Sequence, residues 1–203
     1  MSLTKVMIIR HAEKPPKNES IFGVTAAGEQ CKESLIVQGW QRAGALVEMF
    51  DPDSGVFSNS ALATPTLIYA ANPGTDGSQR PVETITPLAA KLALAPDEGF
   101  SKGQEHELAD DVLKQSGVVL ICWQHEKIHD IAKHLTKSGP PSPAVPDDWP
   151  DNRFDLVFVF TPPPAPTQPP PPQQPLWGFA QVPQLLLAGD LATVLPNPPN
   201  NGH

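Results

Sequence analysis

Short apolar runs alternate with amphipathic stretches along this chain. Lys5–Ile9 (KVMII) is an apolar, β-branched run ending in Arg10-His11. It reads as a buried strand whose last residues emerge into a loop. Gly28 to Phe50 reads as a helix, because Trp40, Ala43, Gly44, Val47 and Phe50 fall on one apolar stripe. Asp51-Pro52-Asp53-Ser54-Gly55 ends it. Leu67-Ile68-Tyr69-Ala70 is a second strand, followed by a turn at Asn72-Pro73-Gly74 and a loop through Asp76-Gly77-Ser78. Arg80-Pro81 opens the next helix, with proline suited to a first helical position. Pro87, deeper in, predicts a kink or a restart. Gly117–Trp123 (GVVLICW) is the strongest strand and is apolar on both faces. After Gln124-His125-Glu126, the positions Ile128, Ile131, Ala132 and Leu135 mark another helix. Phe154–Phe160 (FDLVFVF) is a fourth strand.

Strands alternating with helices predict an α/β fold: a three-layer α/β/α arrangement around a mostly parallel, doubly wound sheet. Ligands of such sheets gather at the carboxyl ends of the strands, and two of the four strands run into a histidine there. The 203 residues fit one domain spanning 1–203. Residues 161–175 carry nine of the 26 prolines and read as an extended excursion within that domain. The plain reading is a proline-lengthened loop; the sharper one is a docking segment for an SH3 or WW domain. Trp177 to Leu187 is apolar again and is expected to pack back onto the domain.

Composition narrows the function. Fourteen Lys and Arg against 22 Asp and Glu leave a formal charge of -8, which disfavours nucleic-acid or anionic-membrane partners but not a small cationic pocket. Two cysteines, Cys31 and Cys122, fit a reducing compartment rather than a disulfide framework. No apolar run approaches the roughly 20 residues of a membrane helix. Arg10 and His11 interrupt the only early apolar stretch, so no secretory pattern is read. A cytoplasmic location follows as the expectation.

Arg10, His11, Arg80 and His125 stand at one predicted sheet edge. Arginine presents a planar fork of donors matched to phosphate oxygens. A neutral imidazole can attack phosphorus and form a phosphohistidine, dividing one hard step into two. The arginines and the second histidine then hold the oxygens over which charge spreads. That scheme needs neither cofactor nor metal.

At these residues the chain resembles the histidine phosphatase, or phosphoglycerate mutase-like, superfamily. The resemblance rests on Ile8-Ile9-Arg10-His11-Ala12-Glu13, on Gly39-Trp40-Gln41-Arg42-Ala43, on Arg80 with Thr84 one turn on, and on the strand leading to His125. It spans roughly residues 5–135. It implies a nucleophilic His11 and phosphate binding by Arg10, Arg80 and His125, with Lys14 as support. In the acid-phosphatase and phytase branch the first motif reads Arg-His-Gly-x-Arg-x-Pro. Here Ala12 replaces the glycine and Lys14 the second arginine. Glu126, directly after His125, is the first candidate for general acid, with Glu13, Glu105 and Glu107 as alternatives. The implied activity is hydrolysis of phosphomonoesters of small molecules. Mutase-like phosphotransfer, or removal of phosphate from phosphohistidine in proteins, is the alternative. Specificity is expected from the loops 14–24, 72–79 and 96–107.

Rival readings remain open at this stage. His125-Glu126-Lys127-Ile128-His129 fits the H-E-x-x-H pattern of zinc peptidases. Against it, His125 follows an apolar strand, Ala132 and Leu135 fill the last two positions of the extended motif, and no glutamate follows Glu126. A cysteine phosphatase would need arginine six positions after a cysteine, where Val37 and Ile128 stand. A phosphate-cradling G-x-x-x-x-G-K-[ST] loop is absent. A third reading keeps the fold as a non-catalytic module that binds a phosphorylated ligand. Taken singly, Arg10-His11 reads as surface charge and His125 as a core histidine. Arg42 reads as a solvated helix residue, and His106, His129 and His134 as helix-flank residues.

Overall fold

A computed structural model describes residues 2–17, 20–75, 77–137, 144–164 and 176–197. Five strands form one sheet: β1 (Leu3–Arg10), β2 (Leu67–Ala70), β3 (Gly117–Trp123), β4 (Leu156–Thr161) and β5 (Gly178–Pro183). Their order is β2-β3-β1-β4-β5. β2, β3 and β1 are parallel; β4 runs antiparallel to β1, and β5 antiparallel to β4. The helices are α1 (Val37–Phe50), α2 (Arg80–Leu92), α3 (Glu105–Val112) and α4 (His125–Thr136).

Strand pleating sorts the core into two layers. In β1, Val6 and Ile8 join a cluster with Leu108, Val112, Ile128, Ile131 and Leu135 from α3 and α4. Met7 and Ile9, pointing the other way, join Leu46, Phe50, Ile85 and Leu88 from α1 and α2. A sheet covered on both faces by helices is the three-layer α/β/α arrangement expected from the alternation of elements. Among the described residues, no helix is long and apolar enough to cross a membrane.

Several boundaries differ from the sequence pattern. The first helix begins at Val37, not Gly28. Gly28 adopts φ +83°, and the backbone N–H groups of Leu35 and Ile36 go to Glu83 Oε2 and the Glu13 carbonyl. Residues 28–36 are therefore a loop tied to α2 and to the chain after His11. Pro87 neither kinks α2 to an end nor restarts it: one lost hydrogen bond is outweighed by the buried stripe Thr84, Ile85, Leu88 and Ala89. α3 is short and polar on most faces, so its periodicity was not apparent.

β4 departs from the parallel expectation for a visible reason. Residues 144–155 contain no helix, yet Val145 and Trp149 pack into the α3–α4 layer, Trp149 against Phe158 at 4.6 Å between ring centroids. The chain thus climbs back to the carboxyl edge of the sheet before β4 begins, and β4 can only run downward. β5 then pairs with it, Thr161 opposite Gly178. That pairing makes the proline-rich stretch a connection between neighbouring strands. Residues 165–175, and with them the segment considered for SH3 or WW docking, lie outside the described residues.

Arg42 is not a solvated residue. It is 3% exposed. Its guanidinium donates to Glu13 Oε1 at 2.7 Å, Asp190 Oδ1 at 2.7 Å and Gln184 Oε1 at 2.8 Å. Burial lowers its proton affinity, but the hydrogen bonds and charges of Asp190 and Glu13 outweigh that and raise it. Gly39 lets α1 approach this segment closely, since a Cβ there would lie 2.6 Å from the Glu13 carbonyl oxygen. Removing one partner of a buried ion network leaves the others uncompensated, which costs about 3–5 kcal/mol. Arg42→Ala is therefore expected to lower the unfolding free energy by that amount in urea denaturation, whereas Lys32→Ala, at a 90%-exposed side chain, leaves it nearly unchanged.

Candidate active site

The carboxyl ends of the three parallel strands meet at one pocket of about 410 Å³. β1 delivers His11 and Lys14, the loop after β2 delivers Asn72, Pro73, Gly74, Gly77 and Ser78, and the turn after β3 delivers Gln124, His125 and Glu126. Arg80 enters from the first residue of α2, and Ser101 and Lys102 from the loop before α3. All three loops expected to carry specificity thus contribute to the wall. Gly77 is required for the loop's path, because a Cβ there would overlap the Pro73 carbonyl oxygen at 2.1 Å.

Local hydrogen bonds explain why His11 sits where it does. Its backbone N–H continues the β1–β3 ladder to the Trp123 carbonyl, at 3.0 Å. The next residue, Ala12, donates its N–H to Thr84 Oγ1 at 2.8 Å, and Thr84 donates in turn to the Arg80 carbonyl at 2.7 Å. Strand β1 and the start of α2 are locked together through that hydroxyl. The His11 ring is 3% exposed, and Nδ1 lies 2.7 Å from the Ala12 carbonyl oxygen. A carbonyl can only accept, so Nδ1 carries the proton and Nε2 keeps its lone pair. Burial first, then the charge of Arg10, drive the pKa of this ring down to about 3, with Arg80 and Lys14 adding to the effect and the bond to Ala12 opposing it.

Arg10 is 1% exposed and does not line the pocket. Its Nη1 donates to the carbonyls of Pro150, Asp151 and Arg153 at 3.1, 2.9 and 2.9 Å. Its guanidinium lies over the Phe154 ring, 3.9 Å from the centroid. Nε and Nη2 are buried without a hydrogen-bond partner among the described residues. Burial lowers its pKa to about 10, against the pull of Asp151, Glu126 and Glu13. Arg80 is held by the 32–34 loop: Nε donates to the Ser34 carbonyl at 3.2 Å, Nη2 to the Lys32 carbonyl, and Nη1 to Ser78 Oγ at 3.2 Å.

His125 is flanked by two carboxylates. Its Nε2 lies 3.0 Å from Asp151 Oδ1, and its Nδ1 lies 3.1 Å from Glu126 Oε2 without hydrogen-bond geometry. Burial and Arg10 lower its pKa despite the opposing charges of Glu126 and Asp151. Each carboxylate has its own lysine. Lys102 donates to Glu126 Oε1 at 2.5 Å, and Lys14 donates to Asp151 Oδ1 at 3.2 Å. Asp151 follows no strand and matches no motif, and it reaches His125 only because residues 144–155 climb the sheet.

The structure separates the four candidate acids. Glu13 is spent on Arg42. Glu105 is 4% exposed and accepts from Trp123 Nε1 at 3.0 Å and from the Gly103 N–H at 2.9 Å. Neither it nor Glu107 lines the pocket. Among the described residues, Glu126 is the only carboxylate that does. α4 begins at His125, just after β3 ends at Trp123, so the HEKIH run is helical throughout. His129, however, has Nδ1 at 2.9 Å from the Pro146 carbonyl and Nε2 at 3.4 Å from Asp147. Among the described residues, no three His, Cys, Asp or Glu side chains gather to hold a metal ion.

No family model and no curated protein matches the chain. A solved structure titled "Mycobacterial hydrolase 2" aligns over 88% of this chain and 90% of its own, at 12% identity and a TM-score of 0.45. A likeness that slight bears on neither family nor activity.

The state of His11 has a measurable consequence. In the folded protein the ring stays neutral down to about pH 3. An unfolded chain protonates it near about pH 6.5. Across that window the unfolded state binds the extra proton, so stability falls as pH falls. The urea midpoint of the native protein is expected to drop more steeply between about pH 6.5 and 4 than that of His11→Gln, which removes this linkage.

Proposed function

We propose that this protein is a phosphatase of the histidine phosphatase type, hydrolysing phosphomonoesters through a phosphohistidine on His11. The observation that carries the reading is a buried imidazole with its proton fixed on Nδ1 and its lone pair on Nε2, set among cations in an open pocket. Such a ring needs no base to become a nucleophile. The residue before His11, Arg10, keeps Nε and Nη2 buried without a partner behind the pocket wall, two donors that an oxyanion reaching them would satisfy.

In the proposed cycle, Nε2 of His11 attacks phosphorus as the bond to the leaving oxygen breaks. Arg80, Lys14 and His125 line the pocket around the phosphoryl oxygens, with the charge of Arg10 behind them, and offset the charge that grows there. The first turns of α2 and α4 both start at the pocket, with Arg80 and His125 as their opening residues, and the positive ends of the two helix dipoles favour an anion. Water then attacks the phosphohistidine, and P–N cleavage returns His11 to its starting state. Glu126 is the pocket carboxylate available for proton transfer.

Labelled phosphate should be recovered on His11 after acid-free quenching of a reaction with an aryl phosphate, and phosphopeptide mapping should place it there. His11→Ala is expected to lose both label and turnover while still unfolding cooperatively. Arg80→Ala is expected to lower kcat/KM by roughly 10²–10³-fold, the usual loss when one charge-stabilising donor is removed. A protein that binds phosphate or vanadate yet never acquires label would instead be the non-catalytic module.

A further inference from the structure

Resting on the phosphohistidine reading, the geometry points to a narrower substrate class: phosphoryl donors whose leaving group departs as a stable anion, such as acyl, enol or aryl phosphates, because Glu126, tied to Lys102, serves as the base of the second step rather than the acid of the first.

Three observations converge. Glu126 is the only described carboxylate in the pocket wall, and the Lys102 ammonium holds its Oε1 at 2.5 Å. The other carboxylate beside His125, Asp151, has its Oδ1 shared between Lys14 and His125 Nε2. Each of the acids near the phosphoryl position is thus held in its unprotonated form. The charges facing Glu126 are Lys102, His125, Arg10 and Lys127. Burial works to raise its pKa, but the hydrogen bond and charge of Lys102, its own backbone N–H and His125 leave it below the ordinary carboxylate value. Asp151 is lowered likewise, chiefly by Lys14.

The chemistry balances without a general acid in the first step. His11 Nε2 donates its pair to phosphorus, and the P–O bond breaks with its pair leaving on the departing anion. In the second step Glu126 takes a proton from water as the water oxygen bonds to phosphorus. The P–N pair returns to Nε2, giving hydrogen phosphate and a protonated Glu126, which releases its proton to solvent. An alkyl phosphate would have to expel an alkoxide, for which no proton is at hand.

The test is the rate of His11 labelling measured separately from the rate of label loss, in a series running from acetyl and para-nitrophenyl phosphate through phenyl to alkyl phosphates. Labelling is expected to fall by roughly 10²–10⁴-fold toward the alkyl end beyond the intrinsic reactivity trend, the share that general-acid catalysis would supply. Glu126→Gln is expected to label normally from para-nitrophenyl phosphate and then to retain the label, since the step it impairs is hydrolysis. Lys102→Met is expected to move the acid limb of label loss to higher pH, because Glu126 then protonates more readily. Labelling that is equally fast from alkyl and aryl donors overturns the inference but leaves the phosphatase reading intact. So does a Glu126→Gln protein that labels slowly only from poor leaving groups. Failure to label His11 from any donor overturns the phosphatase reading itself.

Discussion

A buried guanidinium is tolerated only where its donors find acceptors and its faces find a polarisable neighbour, and Arg10 meets that condition on one side alone. Three backbone carbonyls from residues 150–153 take Nη1, and the Phe154 ring covers the face. The positive charge is kept, and it sits beside His11. Burial of the His11 ring first, and this neighbouring cation second, oppose formation of an imidazolium, so the ring stays neutral with a free lone pair. The lone pair of His11 is kept free by burial and by repulsion from a cation rather than by a neighbouring base.

The same charge organises the other half of the site. Asp151 and Glu126 sit near the Arg10 field, each with its own lysine, and between them they leave His125 in a slot where either ring nitrogen meets a carboxylate oxygen. The pocket therefore holds several cations against few free anions, in a chain whose formal charge is -8 overall. Local sign and global sign oppose one another, which is what a small anion-binding cavity on an acidic protein requires.

Much of this was legible from residue patterns. The strands Leu67–Ala70 and Gly117–Trp123 are continuous apolar runs and keep those bounds in the structure. Arg80-Pro81 marks the start of α2, and Lys14, His11, Arg80, His125 and Glu126 share one pocket because each follows a strand or opens a helix at the same edge. What the pattern missed has a common cause. Arg42 is a charge set on the buried face of α1 between Gly39 and Leu46, and only tertiary folding brings Glu13, Gln184 and Asp190 around it. Asp151 is carried on a segment of no regular structure, and no local period announces where such a chain will travel. The reversal of β4 depends on that same excursion. β5 is an edge strand of mixed exposure, and its alternation is too weak to stand out beside the prolines that precede it.

The route of residues 144–155 also sets an order of assembly. Arg10 lies near the start of the chain, yet the carbonyls that receive its Nη1 come some 140 positions later. During synthesis from the N-terminus, β1, β2, β3 and α4 all emerge before the groups that bury the guanidinium. Until residues 150–154 pack against the end of β1, Arg10 has neither its acceptors nor its aromatic cover. The charge beside His11 is therefore enclosed only by residues made after every residue that lines the pocket.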